Sequence, residues 1–100
     1  MRPAHPGRMD LVRLPRVAGY FYPGEKAALE EEVGALLAGA RTPPLPGVRG
    51  VLSPHAGYAY AGRVMAEAFR PLSAWRGKAR RVFLLGPRHF VAFSAVAFLP

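Results

Sequence analysis

Two short phrases in this sequence each place one histidine directly after an apolar run. The first, Ser53 to Tyr58, reads S-P-H-A-G-Y and contains His55, and the second, Leu84 to His89, reads L-L-G-P-R-H. Neutral imidazoles that converge from two strand ends can hold iron, zinc or copper, and a third ligand normally completes such a site. The pattern favours a metal site shared by His55 and His89. The simpler alternative is that each histidine is only a polar turn residue.

The residues beside the two histidines suit a small pocket. Gly57 lets the backbone bend closely next to His55, and the Tyr58 phenol could donate a hydrogen bond to a bound oxygen species. The third histidine, His5, lies in a stretch without periodicity and is interpreted as incidental. None of these features identifies a catalytic residue.

Composition limits what this chain can be. With 100 residues it forms at most one domain, and its 51% hydrophobic and 20% charged residues indicate a globular core rather than disorder. The absence of cysteine excludes disulfides and thiolate chemistry within this sequence. Histidine, aspartate, glutamate and tyrosine remain as metal ligands.

The net charge of +8, from 14 Lys and Arg against 6 Asp and Glu, raises the question of a polyanionic partner. The cations are scattered, apart from one group at residues 76–81, and they do not alternate with aromatics. We therefore predict no nucleic-acid partner. No apolar stretch reaches the roughly 18–20 residues that a membrane helix needs, and no secretory signal is apparent. The prediction is a cytoplasmic protein without a membrane partner.

The first half of the chain predicts a tail, a turn and a helix. Residues 1–12 lack periodicity and predict a flexible tail, and the following segment leads into the aromatic triplet Tyr20 to Tyr22. The triplet is interpreted either as an arm that packs on the domain or as a pocket lining. Apolar residues at helical spacing predict a helix over residues 25–38, followed by a proline-rich linker over 41–47.

The second half has the pattern of a strand–helix–strand unit. Residues 48–53 and 81–85 predict two buried strands, and residues 60–72 predict the helix between them. A third apolar run over residues 95–99 predicts another strand. In parallel sheets, ligands bind beyond the carboxyl ends of the strands, which is where His55 and His89 would lie. The fold class predicted is α/β.

Three motifs in order resemble the Memo family, also called AmmeMemoRadiSam system protein B. They are the segment Arg13 to Pro23, the phrase P-H-A-G-Y and the phrase L-L-G-P-x-H. The resemblance is to the N-terminal third of a Memo-like protein and covers residues 13–98. It implies a three-layer α/β/α fold with a mostly parallel sheet, like that of the class III extradiol dioxygenases. Residues 13–100 would be the N-terminal part of one such domain, here truncated.

The resemblance also implies a site. His55 and His89 match the family's two N-terminal metal ligands, and the third ligand, a cysteine, comes from the C-terminal half. Tyr22, Gly57 and Tyr58 would line the pocket together with Arg88. Arg88 stands where the family usually has serine, and Phe90 replaces a second histidine. Iron or copper would be the cofactor of an intact protein, and the site would be incomplete in this chain.

Three functions follow as expectations. The first is a Memo-like metal protein with redox or oxygen-linked activity. The second is a non-enzymatic module that binds a peptide or protein in the same cleft, and the third is an extradiol-type dioxygenase. The 100 residues are expected to be a fragment that is inactive alone, with an unpaired sheet edge that favours self-association.

Overall fold

The computed structural model describes residue 12, residues 14–87 and residue 89. The chain divides into two compact units, one of residues Val17–Val82 and the other of Met1–Arg16 with Phe83–Pro100. The predicted tail, except for residue 12, and the predicted strand over residues 95–99 lie outside the described residues. The helices and grooves reported below all belong to the unit Val17–Val82.

The first helix, α1, spans Lys26–Gly39 and confirms the helix predicted over residues 25–38. Its apolar residues are half-buried, as their helical spacing predicts: Leu29, Val33, Leu36 and Leu37. On the polar face, the Lys26 Nζ and Glu30 Oε1 atoms lie 4.0 Å apart with both side chains mostly exposed. Such a pair contributes little stability, so α1 is held chiefly by its apolar face.

The second helix, α2, spans Tyr58–Phe69 and continues into a 3-10 helix, Arg70–Trp75. Its buried residues are small: Ala61, Gly62 and Ala66. A Cβ atom at Gly62 would lie only 3.1 Å from Cδ1 of Leu36, so the missing side chain lets α1 pack closely. By contrast, the larger apolar side chain of Val64 in the same helix is 60% exposed. Within the described residues, no helix is both long enough and apolar enough to cross a membrane.

The 3-10 helix is fastened to the segment that precedes the first histidine phrase. The Trp75 indole N–H donates to the Val48 carbonyl oxygen at 2.7 Å, and the Leu45 N–H donates to the carbonyl of buried Pro71 at 3.0 Å. Both bonds join residues more than twenty positions apart in the sequence. They therefore fix the path of the chain between α1 and His55.

In the described part of the chain, residues 48–53 and 81–85 are not assigned to strands. The β-pairing there is an isolated parallel bridge between Ala18 and Tyr22. A strand exists only when its backbone groups pair with a second strand, which a local pattern does not supply. The parallel sheet and the α/β/α fold therefore remain predictions.

Candidate functional site

The aromatic triplet lies in a tight turn that depends on Gly19. The Gly19 N–H donates to the Tyr22 carbonyl at 2.7 Å, and Tyr20 and Phe21 both donate to the Val17 carbonyl, at 3.0 and 2.9 Å. Gly19 has a φ of +84°, in the left-handed region that residues with a Cβ atom rarely adopt. Glycine at this position is what lets the backbone reverse direction.

This turn holds the beginning of α2. The Tyr58 N–H donates to the Phe21 carbonyl at 2.8 Å, whereas the N-cap residue Gly57 supplies no side-chain cap. A Cβ atom at Gly57 would lie 3.4 Å from Cα of Phe21, at van der Waals contact, so the two backbones run close together here. The turn thus satisfies one of the N–H groups that a helix leaves unpaired at its first turn.

Two tyrosines pack together where the turn meets α2. The ring centroids of Tyr22 and Tyr58 lie 5.7 Å apart, with the ring planes inclined by 37°. Tilted pairs at this distance are favourable aromatic contacts. They belong to an open groove of about 590 Å³, called the aromatic groove here, which is lined by Gly19, Tyr20, Phe21, Tyr22, Pro23, Glu32, Ala56, Gly57, Tyr58, Ala59 and Tyr60.

Three of the pocket residues predicted from the sequence therefore come together: Tyr22, Gly57 and Tyr58. The aromatic triplet lines the groove and also contacts the start of α2. Arg88 lies outside the described residues. Two further residues line the groove without having been predicted from the sequence: Tyr60, which is 92% exposed, and Glu32. The spacing of Tyr58 and Tyr60 at the start of a helix was the available signal.

His55 lies in the loop just before α2, and its side chain is exposed. The next residue, Ala56, lines the aromatic groove. His89 is also exposed, but it belongs to the other unit of the chain. A metal site shared by His55 and His89 therefore remains a prediction.

The donor set in the described residues fits a metal only in part. His55 and His89 supply imidazole nitrogens, which suit iron and copper. Among the residues that the structure describes, no three His, Cys, Asp or Glu side chains are grouped closely enough to hold an ion. A further ligand would have to come from elsewhere.

A second groove, of about 660 Å³, lies between α1 and α2 and contains none of the predicted site residues. Glu67 lies in its wall and accepts hydrogen bonds from the backbone N–H groups of Arg41, at 2.6 Å, and Thr42, at 2.9 Å, and from the Thr42 hydroxyl. The Thr42 hydroxyl bond, followed by the two backbone bonds, lowers the pKa of Glu67. The Glu67 carboxylate therefore links the chain that follows α1 to α2, and its role is structural.

Comparison with known proteins identifies the family. The model of the Memo-like protein family matches residues 13–100. A MEMO1 family protein of Nitrosopumilus maritimus is 38% identical over 92 residues, which cover 87% of this chain and 33% of the relative. Protein MEMO1 of Xenopus tropicalis is 38% identical over 80 residues, covering 80% of this chain and 26% of the relative. No solved structure matches.

The matched region contains the turn at Gly19, the aromatic groove and both histidine phrases. Because the family model covers most of the sequence, the chain belongs to the Memo-like protein family. This confirms the resemblance of its motifs to the N-terminal portion of that family. The chain spans about a quarter to a third of the length of the curated relatives it matches.

Proposed function

We propose that this chain contributes His55 and His89 to a mononuclear iron or copper site of a Memo-like protein with redox or oxygen-linked activity. The supporting observation is that the family match contains both histidine phrases, with His55 exposed beside the aromatic groove. The third ligand would be the cysteine that the family resemblance implies, supplied by the C-terminal half of an intact protein.

The residues around His55 determine which groups the proposed site offers to a bound molecule. Iron or copper, when bound, would supply Lewis-acid and redox chemistry. Tyr58 places a phenol at the groove, where it can donate a hydrogen bond to a bound oxygen atom. Tyr22 packs against Tyr58 and restricts its ring. Glu32 provides a carboxylate at the same groove.

The test is a metal-binding measurement on the full-length protein. The double variant His55→Ala/His89→Ala should lose bound iron and copper, as determined by elemental analysis after loading and desalting. His5→Ala is the matched control, because His5 lies outside the family match and should keep full stoichiometry. Unchanged metal content in the double variant refutes the ligand assignment.

A second candidate function is a peptide-binding module that uses the aromatic groove without a metal. Exposed aromatics favour it, because Tyr20 and Tyr60 are 88% and 92% exposed. Under this proposal Tyr60→Ala weakens peptide capture, whereas the double histidine variant leaves it intact. Metal-dependent ring opening of an aromatic diol would instead support the extradiol dioxygenase activity.

A further inference from the structure

The most concentrated charge in the described residues is a short segment after the 3-10 helix, residues 76–81, called the basic turn here. Its six residues read R-G-K-A-R-R, and all six are exposed. Four cations on six residues repel one another, since each lies within a few residues of the next. Opposite charge from a partner would relieve that repulsion.

The described part of the protein does not neutralise the basic turn. Within it, the ion pair that the structure shows joins Lys26 and Glu30 on α1, and no ion pair involves a cation of residues 76–81. Of the carboxylates, Glu67 accepts three hydrogen bonds from residues 41 and 42. The basic turn is therefore an exposed surface of one sign.

Backbone hydrogen bonds hold the first part of the basic turn, residues 76–79. The Arg76 N–H donates to the Ser73 carbonyl at 3.2 Å, and Lys78 and Ala79 donate to the Trp75 carbonyl at 2.8 and 3.2 Å. Gly77, with a φ of +75°, makes the reversal that these bonds require. A surface ordered before binding loses less conformational entropy when a partner docks.

Trp75 anchors the basic turn, and a fifth cation, Arg49, lies over its ring. Its indole N–H is bonded to the Val48 carbonyl, and the Arg49 guanidinium lies 5.9 Å from the ring centroid. At this distance the cation is attracted to the face of the ring. Arg49 is exposed and extends the positive surface beyond residues 76–81.

The chemistry of this surface suits carboxylates. Arginine presents a planar fork that matches a carboxylate with two hydrogen bonds, and three of the four cations of the basic turn are arginines. Single-stranded nucleic acid additionally needs exposed aromatic faces for its bases, whereas Trp75 is half-buried and lies under Arg49. Residues 76–81 form no helix and contain no apolar side chain larger than alanine, so they lack the apolar helix face with which an amphipathic helix enters a membrane surface.

We propose that the basic turn, with Arg49, is a docking surface for an acidic segment of a partner polypeptide. The segment carries several Asp or Glu side chains that pair with the exposed arginines. Docking at this surface does not require the proposed metal ligands.

The experiment uses the full-length protein and a fluorescently labelled peptide of about ten glutamates, with binding followed by anisotropy at low salt. The test variant replaces Arg76, Lys78, Arg80 and Arg81 with glutamine. The matched control replaces four other exposed cations, Arg16, Lys26, Arg41 and Arg63, with glutamine, so that both variants lose the same net charge. Circular dichroism checks that both variants remain folded.

We expect the test variant to bind the peptide about tenfold more weakly, since each exposed charge pair contributes modestly, and the control to change by less than about twofold. Equal weakening in both variants would show an effect of net charge alone and would overturn the proposal. So would the absence of peptide binding by the unmodified protein. Tighter binding of single-stranded DNA or of anionic lipid vesicles at matched charge would overturn the choice of a polypeptide partner.

Discussion

Replacement of Gly19 by alanine should destabilise the protein, whereas the same replacement at Gly34 should stabilise it. Gly19 has a φ of +84°, and a Cβ atom there would meet no other atom within 4 Å, so the penalty is conformational rather than steric. A non-glycine residue in the left-handed region costs about 1–2 kcal/mol. Gly34 lies within α1 and also has open space at its Cβ position, and alanine there gains about 0.5–1 kcal/mol of helix stability.

The free energies of unfolding of the two variants should therefore differ by about 2 kcal/mol. Relative to the unmodified protein, the value should be lower for Gly19→Ala and higher for Gly34→Ala. Urea unfolding followed by the fluorescence of Trp75, the one tryptophan in the sequence, measures both values. Trp75 belongs to the same unit as both glycines, so it reports on their unfolding. Equal shifts in both variants, or no loss of stability with Gly19→Ala, would refute the assignment of strain to the turn.

Two further predictions concern the contacts that α2 makes with α1 and with the chain that follows α1. Hydrogen bonds, chiefly from the Thr42 hydroxyl, hold the pKa of Glu67 below its ordinary value of 4.5. Their contribution to stability is thus present above pH 4.5 and is lost as the pH falls through the lower folded-state pKa. Glu67→Gln should lower the melting temperature near neutral pH, with the difference from the unmodified protein shrinking in acid; a constant difference would contradict this. Gly62→Leu should cost about 1–3 kcal/mol by crowding Leu36, whereas Gly34→Leu, at an open position, should not destabilise the protein.

The two helices could be predicted because their signals are local. The apolar spacing over residues 25–38 corresponds to α1, Lys26–Gly39, within a residue at each end. The predicted helix over residues 60–72 begins at Tyr58 in the structure and continues as a 3-10 helix. Its buried face was harder to predict, because packing against α1 favours the smallest side chains rather than the most hydrophobic ones.

The long-range contacts could not be predicted from a local pattern. The bonds from residues 41 and 42 to Glu67, and from Trp75 to Val48, join positions about a quarter of the chain apart. The strand predictions over residues 48–53 and 81–85 depend on pairing partners that the pattern does not identify. The metal site predicted at His55 and His89 also depends on strand pairing. The end of a strand holds a ligand in place only when that strand belongs to a sheet.

The bond from Tyr58 to the Phe21 carbonyl makes the first turn of α2 dependent on a segment far earlier in the sequence. The helix has no side-chain cap of its own, so its beginning is completed only when the chain has closed a long loop onto the turn at Gly19. Closing such a loop has an entropic cost that helix propagation alone does not repay. Local opening of the Gly19 turn would therefore free the Tyr58 N–H and loosen the start of α2, beside the loop that carries His55.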